Sequence, residues 1–252
     1  MAEGAEVPTG SGLVDAGSLG RGLPGEQLCF DSRDRHRFDT GTDTLRDAPI
    51  TLDRLAELRA APLASLTNLT HPGEAALSHE LGRLTRSAGS ATVVDLTPPA
   101  AAHSGRDPLA LRRLSEEAGV HVIMSTGCSM HQVAVALATT SAATVEAAEA
   151  EVVEQLASAR VEDLLHGVPA GDTSVRAGAL CLETLPSSSS STEAVLLRVM
   201  ANAQQRTGAP LFCALLPPAA ADADAAERLE RAAAALQSLV SGGASPGHLV
   251  VT

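Results

Sequence analysis

Residues 91–129, ATVVDLTPPAAAHSGRDPLALRRLSEEAGVHVIMSTGCS, read as one strand–helix–strand unit, and that unit leaves the chain few folds to choose from. Ala91 to Leu96 is a short apolar, β-branched run closed by Thr97, Pro98 and Pro99, whose fixed φ and missing N–H groups end a strand. Asp107 followed by Pro108 starts a helix: the carboxylate accepts from free first-turn N–H groups, and proline at the first helical position loses no hydrogen bond. Leu111, Leu114 and Ala118 recur at helical spacing, and Gly119 stops the helix. Val120 to Met124 is the next buried strand. Two buried strands joined through a helix lie parallel in one sheet with a right-handed crossover, and functional groups gather at the C-terminal ends of such strands.

The rest of the chain repeats this alternation. Residues 1–12 are expected to be a flexible N-terminus, and residues 13–252 one domain. Leu13 to Phe30 is broken by Gly20, Gly22, Pro24 and Gly25, which a central strand tolerates poorly, so it reads as irregular with a weak strand over Glu26 to Phe30. Leu52 to Arg59 reads as a short helix, and Glu74 to Arg86 as a longer one with Leu77, Leu81 and Leu84 on one face. Thr144 to His166 is a long helix. Arg176 to Leu182 is a strand, and the serine run 187–191 a loop before a helix capped by Thr192 and closed by Gly208. Ala209 to Leu216 is a strand ended by Pro217 and Pro218, Ala223 to Leu239 a helix, and His248 to Val251 a last strand. The pattern predicts an α/β fold of the (β/α)8 TIM-barrel type, incomplete, with about six of eight β/α units present. Open sheet edges follow from that expectation, and with them a homo-oligomer through an edge.

Composition narrows the function classes. A formal charge of −12, with every basic residue an arginine, argues against a phosphate-backbone partner, so no nucleic acid is expected. No apolar run approaches the ~20 residues that span a bilayer, and no signal peptide is evident, so the expected location is cytoplasmic with no membrane partner. Cys29, Cys128, Cys181 and Cys213 stand far apart without a C-x-x-C pair, poor evidence for disulfides or a zinc ribbon.

ATVVDLTPP, GRDPLALRRLSEEAGVHVIMSTG, LLHGV followed by GDTSVRAGAL, then AQQRTGAPL and GASPGHLVVT together resemble the phosphotriesterase-related proteins of the amidohydrolase superfamily. The resemblance runs from about Leu13 to Thr252. It implies a barrel hydrolase with two divalent metal ions, zinc in type, acting on small-molecule phosphotriesters, lactones or N-acyl amino-acid-like amides.

The family pattern also places the expected ligands. Its His-x-His at the end of the first strand falls on Gly25 and Gln27 of LGRGLPGEQL, where Glu26 and Leu28 match. Glycine offers no donor, and an amide is a poor zinc ligand beside imidazole. The carboxylated lysine falls on Cys181 of RAGALCLE, in a chain without lysine, leaving Glu183 as the remaining acid for that role. The fifth-strand histidine falls on Ala214 of PLFCA. The sixth-strand histidine and eighth-strand aspartate fall beyond Thr252, so no catalytic residue is assigned. The first reading is therefore a homologue that has lost its metal site and catalysis, with no metal bound. One alternative is an active zinc-dependent hydrolase using substitute ligands or a longer product; another is a non-enzymatic module associating through the open barrel edge.

Other residues are weighed against ordinary roles. Cys29, Cys181 and Cys213 near strand ends could form a thiolate site, but buried cysteine usually packs as a small hydrophobe. His121 and His166 read as packed, hydrogen-bonded histidines. His103 and His131 fall in strand-end loops without an evident partner. Glu26 and Glu183 are the acids nearest the expected cavity, and Arg106 with Asp107 reads as a helix-orienting pair.

Overall fold

A computed structural model of the 252-residue chain describes residues 5–37, 43–97, 105–171, 173–183, 190–214 and 225–252. In chain order the strands are β1 Glu6–Thr9, β2 Gly12–Asp15, β3 Arg21–Glu26, β4 Ala91–Asp95, β5 His121–Gly127, β6 Val168–Ala170, β7 Thr173–Val175, β8 Ala179–Leu182, β9 Leu211–Cys213 and β10 Leu249–Val251. The helices are α1 Leu55–Ala60, α2 Glu74–Ala88, α3 Pro108–Ala118, α4 Met130–Thr139, α5 Val145–Leu165, α6 Ser191–Thr207 and α7 Ala225–Ser241.

Six strands form one sheet in the order β3-β4-β5-β8-β9-β10, every adjacent pair parallel. Spatial order follows chain order, as successive β/α units require. The sheet is curled into part of a barrel. Leu96, Ile123, Ala179, Cys181 and Phe212 pack on its concave face with Val94 and Val250, while Val93, Val122, Met124, Leu180, Leu182 and Leu211 join the larger core against the helices. Strand alternation produces these two layers, since neighbouring residues point to opposite faces.

The strand–helix–strand unit of residues 91–129 forms as expected, its described residues being 91–97 and 105–129. Asp107 Oδ1 accepts from the Leu109 and Ala110 N–H groups at 2.9 and 3.0 Å, Pro108 begins α3, and Gly119 takes the left-handed conformation at its C-cap. The strand after it runs to Gly127, further than Met124. Helix α6 is capped by Ser190 rather than Thr192: Ser190 Oγ accepts from Glu193 N–H, and the Glu193 carboxylate accepts from Ser190 N–H.

Two expectations change. The first sheet strand is Arg21–Glu26, not Glu26–Phe30. It pairs only with β4, and an edge strand tolerates Pro24 and the glycines that would weaken a central one. Glu6–Thr9, inside the stretch expected to be flexible, pairs antiparallel with β2 as a hairpin, and the Gly10 N–H donates to Val122 O at 2.7 Å. Helix α4 and the β6–β7 hairpin have no counterpart in the sequence reading.

Candidate functional site

The five positions that the resemblance assigns to ligands, 25, 27, 181, 183 and 214, lie at or beside the C-terminal ends of β3, β8 and β9. In β3, Pro24 pairs with Val94 and Glu26 with Asp95, so Gly25 is the extra residue of a β-bulge. Its φ is +99°, in the region that favours glycine. A Cβ built on Gly25 would lie 3.9 Å from both Leu96 Cδ1 and Thr252 Cγ2, which places it toward the concave face. Room for a side chain exists there, but the backbone disfavours one. Gln27, just past the strand, is exposed.

Cys181 is buried on the concave face, opposite Gly127 on β5 and Phe212 on β9. Burial first, then the negative charge of neighbouring Cys213, Glu183 and Asp95, pushes its thiol up to about 12, against a smaller opposing effect of Arg106. Ligation of a metal by this thiol would release that proton, which lowers the affinity at neutral pH. Glu183, two residues on, is half-buried. Ala214 is half-buried, donates its N–H to Leu182 O at 3.1 Å, and brings no side-chain donor.

The side chains at the positions that the resemblance assigns to ligands do not by their chemistry make up a dinuclear zinc donor set. Of the five, only Glu183 carries a donor suited to zinc without loss of a costly proton. Among the described residues no group of three or more His, Cys, Asp or Glu side chains is placed to hold a metal ion. The three thiols do not converge either: Cys181 faces the concave side, whereas Cys29 and Cys213 pack in the helix-side core.

The histidines stay apart from these positions. His166 is exposed at the end of α5, 3.7 Å from Glu162, so the expectation of a packed histidine does not hold. His166 is the C-cap of α5, one residue past the helix, where its ring meets solvent. His121 is half-buried at the start of β5, the opposite end of the strand from the ligand-equivalent positions, and His131 is exposed in the first turn of α4. His103 lies outside the described residues. Glu26 is exposed, its carbonyl accepting from Leu96 N–H at 2.7 Å.

A polar network at the strand ends escaped the sequence reading. Asp95 is fully buried; its Oδ1 accepts from Leu28 N–H at 2.8 Å and Thr97 Oγ1 at 2.7 Å, while Oδ2 has no hydrogen-bond partner among the described residues. Desolvation raises its pKa above the usual carboxylate range, against the opposing effects of Leu28, Thr97 and Arg106. Arg106 stands near both Asp95 and Asp163; burial pulls its pKa down, and the two carboxylates, Asp163 first, counter that. Asp163 accepts from Thr126 Oγ1 and pairs with Arg160 Nε at 3.2 Å, and the Arg160 guanidinium donates to Gly127 O. The Thr126, Gly127, Arg160 and Asp163 contacts tie β5 to α5, and Arg106 stands between this group and Asp95 on β4, at the end of the sheet where functional groups collect. An aspartate inside an apolar run, as in VVDLT, was the available signal.

Comparisons with known proteins agree with this architecture. A resiniferatoxin-binding protein from Rhodobacter sphaeroides superposes with a TM-score of 0.71 at 26% identity, covering 98% of this chain and 62% of that one. A mutant of a PTE-like lactonase from Deinococcus radiodurans superposes with a TM-score of 0.62 at 23% identity, covering 97% and 62%, and shows the fold. N-acetyltaurine hydrolases from Salmo salar and Mus musculus are 29% identical over 213 residues and 31% identical over 214 residues. Each match covers 82% of this chain and 55% of the relative, so the chain spans about half the length of the curated relatives it matches. The model of the phosphotriesterase family matches residues 5–223, from the N-terminal hairpin past β9, and the chain belongs to that family.

Proposed function

We propose that this chain is a phosphotriesterase-family protein that does not hold the family's metal pair and does not perform its metal-dependent hydrolysis. The observation that carries this reading is Gly25: a glycine at φ +99° in a bulge stands where the family pattern expects a histidine. Ala214 supports it from β9, since it brings no donor. Hydrolysis of an ester or amide in such a site draws on metal to lower the pKa of bound water and to polarise the scissile bond. With Glu183 as the one matching donor, ordinary zinc concentrations would leave the site empty. The four free cysteines, all buried, support a reducing compartment and hence a cytoplasmic location; no described helix is long and apolar enough to cross a membrane.

The second reading is an active hydrolase of the class named for its relatives, with an N-acyl amide or lactone as substrate. The half-buried Glu183 beside Cys181 favours it, together with the N-acetyltaurine hydrolase names of proteins 29–31% identical to this chain.

One experiment separates the two. The chain is expressed with zinc, manganese or cobalt supplied, purified without chelator, analysed for metal, and assayed with N-acetyltaurine and a γ-lactone. Substoichiometric metal and no turnover above buffer are expected. Near-stoichiometric metal with chelator-sensitive turnover would overturn the first reading in favour of the second.

A further inference from the structure

A cavity of about 580 Å³ opens at the N-terminal end of the curled sheet, the end opposite Gly25, Glu183 and Ala214. Its inner wall is Val94, Ile123, Ala179 and Phe212, the lower residues of the concave core. The outer wall comes from the N-terminal hairpin through Val7 and Leu13. The volume lies within the ~300–1,000 Å³ typical of small-molecule pockets, which combine apolar walls with a few polar groups that fix orientation.

Arg176 is the polar group best placed for that task. It lines the cavity just before β8, half-buried, and its Nε donates to Leu164 O at 3.1 Å. That bond fixes one edge of the guanidinium, and among the described residues no group bonds its terminal nitrogens. No carboxylate pairs with Arg176 among the described residues, although the chain carries a charge of −12. A guanidinium matches a carboxylate with two parallel hydrogen bonds. Glu6, also at the cavity, sits on the exposed hairpin, where solvent weakens its charge; what remains opposes any anionic head group, a singly charged carboxylate less than a doubly charged phosphate.

We propose that this cavity binds a medium-chain carboxylate, with its hydrocarbon chain against Ile123, Ala179 and Phe212 and its head group on Arg176. The inference is independent of the metal question, since none of the ligand-equivalent positions lines the cavity.

The test is calorimetric titration of the full chain with decanoate and with decanol, which shares the chain but lacks the charge. Saturable one-to-one binding of decanoate is expected, about tenfold tighter than decanol, a ratio typical of one charge-assisted contact. In Arg176→Gln the two ligands should bind alike, and Ala179→Leu, which fills the inner wall, should bind neither while keeping the wild-type circular dichroism spectrum. No saturable decanoate binding would overturn the proposal. So would equal binding of both ligands by the wild type, or a decanoate preference that persists in Arg176→Gln. Should Ala179→Leu fail to fold, the alcohol comparison and Arg176→Gln decide the matter alone.

Discussion

Gly25 and Thr252 meet across the curled sheet: a Cβ on Gly25 would lie 3.9 Å from Thr252 Cγ2. One belongs to the first sheet strand and the other follows the last, with four strands between them in hydrogen-bonded order. Parallel strands can bring their outermost members together in this way only by curling, which is the geometry of a barrel wall.

That contact bears on placing histidines at the positions where the resemblance expects them. In Gly25→His the new side chain finds space, but a non-glycine residue at φ +99° costs about 1–2 kcal/mol. The double variant with Gln27→His is expected to be less stable in urea than the wild type and to bind no stoichiometric zinc, because Ala214 still supplies no donor. Denaturation midpoints and metal analysis of the pair check both statements.

Asp95 gives a pH dependence with a definite sign. Its folded-state pKa is raised by burial, so the folded chain holds that proton more tightly than the unfolded chain. The contribution to stability is fully present below the unfolded value near 3.8 and is lost as pH rises through the raised folded value. Asp95→Asn keeps an acceptor for Leu28 N–H and Thr97 and removes the buried charge. Its stability relative to wild type should therefore increase from pH 4 toward pH 7, as measured by urea denaturation. Asp95→Ala, which strands the buried Leu28 N–H, should cost about 1–3 kcal/mol at either pH.

The cap of α3 is a local test of the sequence argument. Asp107→Ala removes the acceptor for two first-turn N–H groups and should cost about 1 kcal/mol, read as a shift in the urea midpoint with unchanged slope.

All four cysteines are buried, and desolvation pushes Cys29 and Cys213 up to about 12 and Cys128 to about 11. The native chain should therefore react slowly with a disulfide reagent at pH 8, and four thiols should appear promptly in denaturant. A native thiol that reacts at the denatured rate would contradict this burial.

The two sheet edges are not alike. β3 carries Pro24 and a bulge, both of which obstruct further pairing, whereas Leu249–Val251 of β10 pairs only with β9. If the chain forms a homo-oligomer through an edge, β10 is the edge used. Light scattering should then show a mass that rises with concentration and returns to the monomer value in Val251→Lys.

The sequence by itself determined what local chemistry controls. The cap and proline at Asp107–Pro108, the stop at Gly119 and the alternation of apolar runs with helical stripes were sufficient for a parallel α/β sheet, since each acts within a few residues. The residue types at positions 25, 27, 181, 183 and 214, which the resemblance assigns to ligands, are likewise readable from the chain alone. What only the tertiary structure decided depends on neighbours distant in sequence. That Arg21–Glu26 is a strand at all follows from its place at an edge, where Pro24 lacks no partner it needs. That Gly25 sits in a bulge, that Cys181 and Cys213 face opposite sides of the sheet, and that Asp95 is buried beside Leu28 depend on register between strands. Register is set by packing across the whole sheet, and a shift of one residue reverses every side chain it carries.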